Sequence, residues 1–212
     1  AVTDIRNWDY APDGAPRKQT WITREIDPDR LSQAYFVVEP FGSIEAIAHT
    51  MLAFSFEDGS GYVASIEARR EVGEAYSAAG AAVFPIFEYM FVWATERDMY
   101  GNSEFAAEDA LYLYPLDIPL KQQKAVLRAM LEKTARIAAQ PRWYNTLFSN
   151  CTNVLARTVN GMSPGAIRFD KAWVLPGYAD AFLHGEGLTG RGRSLAEVRR
   201  DAHISPLVRE LY

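Results

Sequence analysis

Hydrophobic spacing changes character twice along this chain. In the opening part, "APDGAPRKQ" (11–19) is a Pro/Gly loop after a short first segment, and "SQAYFVVEPF" (32–41) is an apolar run that predicts a buried strand stopping at Pro40. Alternation follows. "HTMLAFSF" and "YVASIEAR" flank "EDGSG", a short turn with an Asp-Gly pair, and predict a hairpin. Placing Phe54 opposite Ala64 also sets Leu52 opposite Ile66 and Phe56 opposite Tyr62, which makes one fully apolar face. The other face then carries His49, Met51, Ala53 and Ser55 against Val63, Ser65, Glu67 and Arg69. In that register His49 lies opposite Arg69 and diagonal to Glu67, within reach of long side chains.

Beyond a small-residue loop, "FPIFEYMFVWA" predicts another strand, closed by the charged "TERD", and "LYLYPL" predicts a further one. From 119 to 139 the spacing turns helical. Val126, Met130 and Ile137, with Leu127, Leu131 and Ala138 beside them, form one broad apolar stripe that Pro141 ends. A second helix begins near Cys151, buries Val154, Leu155 and Val159, and stops at an Asn-Gly pair. "WVLPGY" is turn-rich, "DAFLHG" predicts a turn or two of helix, and "SLAEVRRDA" predicts a charged helix. Strands first and helices after imply an α+β fold, an antiparallel sheet packed against helices.

Composition removes several functions. The 212 residues can bury a real core, and a net charge of −5 gives no basic footprint, so no nucleic-acid partner is expected. No stretch reaches the roughly 18 consecutive apolar residues of a spanning helix. The first residues, "AVTDIRNWDY", lack the basic start and apolar run of a signal peptide. With one cysteine and three histidines (His49, His184 and His203), a Cys/His metal site is not expected, and neither metal nor cofactor is implied.

The single cysteine is where chemistry concentrates. Asn150 suits an N-cap, which leaves Cys151 in a first helical turn where free N–H groups and the helix dipole favour a thiolate. A thiol nucleophile needs a base, and the base needs an orienting partner. Cys151 as nucleophile, His49 as base and Glu67 as orienter form the candidate set. Each has a plainer alternative: a buried small side chain for Cys151, a core hydrogen-bonding group for His49, a surface ion pair with Arg69 or Arg70 for Glu67. His184 and His203, in turn-rich or charged surroundings, are expected to face solvent.

"WYNTLFSNCT" (143–152), "IAHTMLAFSFEDG" (47–59), "SIEARRE" (65–71) and "ATERD" (94–98) occur in the order found in a bacterial family that this chain resembles, named for the N-terminal periplasmic domain of Lnb, a lipoprotein N-acyltransferase. The resemblance runs from "DIRNWDY" to "LPGYADAFL". It implies one domain over 1–212, with a circularly permuted papain-like (NlpC-type) thiol core at about 30–162 and a C-terminal extension. The likeness to lecithin:retinol acyltransferase-type enzymes puts the histidine on a strand before a helix-borne cysteine. Cys151 and His49 match the family's cysteine and histidine, and Glu67 its acidic position. Tyr144 and Asn145 match a motif before the cysteine that shapes the pocket or holds an oxyanion, with Asn150 beside them. The implied activity is cysteine-dependent acyl transfer or hydrolysis through a thioester acyl-enzyme, with a phospholipid or lipoprotein as acyl donor. The implied location is the periplasm, against a membrane surface, with a membrane anchor in the full-length protein as one arrangement. The 212 residues show neither the anchoring segment nor the extra sequence of larger members, which bears on lipoprotein acylation rather than on thiol acyl chemistry. A cysteine peptidase acting on cell-wall or other peptides, and a non-catalytic periplasmic binding domain, are the alternatives.

Overall fold

A computed structural model describes residues 1–41, 44, 46–69, 87–143, 151–162 and 165–212. The strands are β1 (Val2–Arg6), β2 (Asp9–Tyr10), β3 (Pro16–Lys18), β4 (Trp21–Arg24), β5 (Leu31–Pro40), β6 (Ala48–Phe56), β7 (Gly61–Arg69), β8 (Glu88–Thr95), β9 (Tyr112–Pro115) and β10 (Arg142–Trp143). The helices are α1 (Glu96–Gly101), α2 (Leu120–Ala139), α3 (Cys151–Met162), α4 (Ala179–Gly185), α5 (Leu195–Ala202) and α6 (Ser205–Leu211). The main sheet runs β4-β1-β8-β7-β6-β5-β9, with β10 also on β8. Its pairs are antiparallel apart from β1 on β8, which is parallel, so the fold is α+β with a mostly antiparallel, mixed sheet.

Alternation in β6 and β7 decides which residues meet which layer. Leu52, Phe54, Ala64 and Ile66 turn to one side, where they join Val126, Leu127 and Met130 of α2 and Val154 and Leu155 of α3 in a single core. Met51, Ala53 and Val63 turn to the other side and meet Met99 and Tyr100 of α1 and Val208 of α6. Both faces are therefore covered. The helical stripe predicted over 119–139 holds for Val126, Leu127, Met130 and Ile137, whereas Ala138 is exposed.

Three expectations change. The hairpin closes two residues tighter than the apolar-face argument predicts: Leu52 pairs with Ala64, Phe54 with Tyr62 and Ser55 with Gly61. Its turn is fixed by Gly59 N–H on the Phe56 carbonyl (3.0 Å) and Phe56 N–H on the Ser60 carbonyl (2.9 Å). Gly59 takes φ 80°, where a side chain would be strained. A slip of two keeps every side chain on its face, so hydrophobic pattern cannot separate the two registers and the turn does. Second, the loop predicted at 11–19 contains β3, which pairs with β2. Third, the charged "TERD" that closes β8 also starts α1, with the Thr95 hydroxyl accepting from Asp98 N–H. The start of "FPIFEYMFVWA", at 84–86, lies outside the described residues.

Candidate active site

The tighter register builds the site. Continued past the Met51–Ser65 pair, it sets His49 against Glu67 rather than Arg69. The His49 Nε2 lies 3.0 Å from Glu67 Oε1 and 2.6 Å from Ser65 Oγ, and the Ser65 hydroxyl donates in turn to Glu67. Donor counting then fixes the tautomer. An ionised carboxylate only accepts, and the single Ser65 proton is already committed to it, so Nε2 must carry the hydrogen. Nδ1 is left for the thiol.

Cys151 is the first residue of α3 and is 6% exposed. Its backbone N–H belongs to the first turn, which has no acceptor inside the helix. The helix start is pinned to β6 by a 2.9 Å bond between the buried hydroxyls of Thr50 and Thr152. Cys151 Sγ sits 4.0 Å from Thr152 Oγ1, and His49 and Thr50 lie close enough to act on its charge. Residues about a hundred positions apart in sequence thus converge on one thiol.

The electrostatics follow from that proximity. Burial pushes the Cys151 thiol up, but the hydrogen bond to His49, its charge and the contacts at Thr50 outweigh burial and bring the thiol down to about 7. Burial opposes the charged form of His49 as well. The Glu67 carboxylate and the Cys151 sulfur more than offset it, so the imidazole is held well above its ordinary range. The partner effect appears at Glu67, where burial raises the carboxyl and His49 and Ser65 lower it below the usual value. Together these favour a thiolate–imidazolium pair near neutral pH.

Two further groups frame His49. Phe41 stacks on its ring (centroids 6.3 Å apart, planes within 13°). Glu39, 6% exposed, is its cross-strand partner on β5, so a carboxylate flanks the histidine on each side. Burial pushes the Glu39 carboxyl up, with His49 and Ser103 pulling against it. Ser103 lies in the π-helical turn Asn102–Ala106 that extends α1.

An apolar pocket of about 240 Å3 opens beside the thiol's helix. Thr152, the residue after Cys151, is in its wall, with Leu52, Leu155, Val159, Trp173 and Phe182. That volume is somewhat below the usual range of small-molecule pockets, about 300–1,000 Å3.

The expected nucleophile, base and acidic residue are therefore brought together, whereas Tyr144, Asn145 and Asn150 lie outside the described residues. Ser65, Glu39, Thr50 and Thr152 were not expected as site residues. Glu39 had a visible sign, being an acidic side chain inside the apolar run "SQAYFVVEPF". Ser65 stood on the predicted face without a role. His203 is exposed and stacks on Tyr112 (5.0 Å), while His184 is half-buried and bonds the Arg193 carbonyl at 2.8 Å.

The sequence model of the Lnb N-terminal periplasmic domain matches residues 17–175. The chain belongs to the Lnb N-terminal periplasmic domain family. Every described residue of the site, from Glu39 through Cys151, falls inside the matched span. Membership in this bacterial family assigns the domain to the periplasm. Among the described residues of this Lnb-type domain no helix is long and apolar enough to cross a membrane. No curated protein and no solved structure matches the chain.

Proposed function

We propose that this domain is a cysteine-dependent acyltransferase or hydrolase that takes its acyl group from a lipid. The observation that carries the proposal is His49, held from behind by Ser65 and Glu67 and electrostatically coupled to Cys151. The strand-borne histidine before a helix-borne cysteine fits a circularly permuted papain-like core within a single domain, and that arrangement is part of the proposal.

The chemistry runs as two transfers. The Cys151 thiolate attacks the ester carbonyl carbon, forming the S–C bond and a tetrahedral oxyanion. The Cys151 backbone N–H is placed to stabilise that oxyanion, a contribution of about 3 kcal/mol per donor. His49 Nδ1–H passes its proton to the departing alkoxide as the C–O bond breaks, leaving a thioester. An amine, hydroxyl or water then attacks the thioester, gives its proton to His49, and restores the thiolate. The mostly aliphatic and aromatic pocket walled by Thr152 and Leu155 is the proposed seat of the acyl chain. Such lining favours a lipid over a peptide donor, and the formed dyad favours catalysis over binding alone.

Incubation with phospholipids, followed by intact mass spectrometry, tests this directly. The protein should gain one acyl mass, released by hydroxylamine and absent in Cys151→Ala. Full turnover of a confirmed substrate by Cys151→Ala would remove the proposal.

A further inference from the structure

A second cavity, of about 430 Å3, lies on the other side of α3. Helical phase separates the two: Thr152, Leu155, Ala156 and Val159 face the apolar pocket, while Arg157, Thr158 and Gly161 face this one. Four cations from three elements converge on it: Lys133 and Arg136 from α2, Arg142 from β10 and Arg157 from α3. Glu132 is the acidic residue in the described lining, and Tyr89 and Thr158 add hydroxyls.

Such a cluster is out of keeping with the rest of an acidic chain of net charge −5. Elsewhere arginines rest on carboxylates, as Arg6 does on Asp98, Arg97 on Asp9 and Arg199 on Asp180. Among the described residues no ion pair reaches the four pocket cations, and Lys133 bonds only the Thr158 hydroxyl, at 3.2 Å. Their proximity is felt. Burial lowers the Lys133 ammonium first, and Arg136 and Arg157 lower it further. The Tyr89 phenol, raised by burial, is pulled down by Arg142, Arg157 and Arg136. Four cations that share one lining carboxylate and make no ion pair among the described residues favour an anion, and one with several oxygens can satisfy guanidinium groups arriving from different directions.

We infer that this pocket is a binding site for a phosphate group, with Arg136, Arg142, Arg157 and Lys133 as its donors. The inference does not rest on acyl transfer at Cys151. A free phosphate and a lipid headgroup share this chemistry, and separate arms distinguish them.

The test is isothermal titration with inorganic phosphate at constant ionic strength, alongside co-sedimentation with phosphatidylglycerol vesicles. The variants are the double change Arg136→Gln/Arg157→Gln and a control, Arg128→Gln/Arg200→Gln, that removes equal charge elsewhere. Saturable phosphate binding, weakened at least about tenfold in the pocket variant and within about twofold of the original in the control, is the expected result. The same pattern with vesicles alone identifies a headgroup as the source of the phosphate. Should the double variant misfold, Arg142→Gln on the exposed β10 supplies the comparison. No saturable binding in either arm, or equal weakening in pocket and control variants, overturns the inference.

Discussion

His49 is held by groups that accept its Nε2 proton, and that one-sidedness leaves Nδ1 free to serve as the base of the proposed mechanism. The charge on Glu67 acts through His49: it favours the imidazolium, and the imidazolium favours the thiolate. Glu67→Gln keeps the side chain's shape and removes the charge, so the rising limb of the pH–rate profile should move to higher pH. Turnover should fall by about 10- to 100-fold, the usual cost of losing an outer partner that orients a reactive group. Ser65→Ala should act in the same direction and more weakly. An unshifted profile in Glu67→Gln would show that the carboxylate does not orient the base. The same pair has a stability signature. His49, raised above 6.5, contributes fully below that pH and loses its contribution as pH rises through the folded value. Glu67, lowered from 4.5, contributes above that pH and loses its contribution as pH falls through its folded value. The pair therefore stabilises the fold most between those limits.

Between elements, the contact that ties the start of the chain to the sheet is Asp98. It is fully buried at the start of α1, accepts Arg6 Nε on both oxygens (2.9 and 3.0 Å), and accepts Trp8 N–H at 2.7 Å. Arg6 sits on β1, the strand that adds to β8 in parallel. Asp98→Ala leaves that guanidinium mostly buried without its partner and should cost about 3 kcal/mol, read as a lower urea midpoint. A change under about 0.5 kcal/mol would show that β1 is held by other contacts. Strong periodicity made β5, the β6–β7 hairpin, α2 and α3 legible, because each buries a face of its own. The parallel placement of β1 was not legible, since a short strand with one buried residue, Ile5, has no pattern to read. The register was hidden for a different reason, because two registers bury the same residues. α6 has no pattern to read either, because its burial comes from the far side of the sheet, through Val208.

For the molecule as a whole, the sheet acts as a partition whose two cores leave the reactive groups at one end of β6 and β7. The apolar pocket and the basic cavity flank α3, so one helix carries the thiol and borders both cavities. Cys151, His49 and Glu67 could be picked from sequence because each residue type has a role in thiol chemistry and the hairpin put two of them on one face. Glu39, Thr50 and Thr152 could not, because their places depend on how β5 and α3 pack against β6. In the proposed mechanism thiol activation is accordingly a property of the folded chain and not of the local sequence around Cys151. The direct measurement is the rate of Cys151 alkylation against pH, followed by intact mass, in the native protein, in His49→Ala and in urea. The native protein should show a midpoint near 7, while His49→Ala and the unfolded chain should return to 8.5 or above, the ordinary range of a thiol. A native midpoint that matches the unfolded chain, or one unchanged by His49→Ala, would contradict an activated dyad.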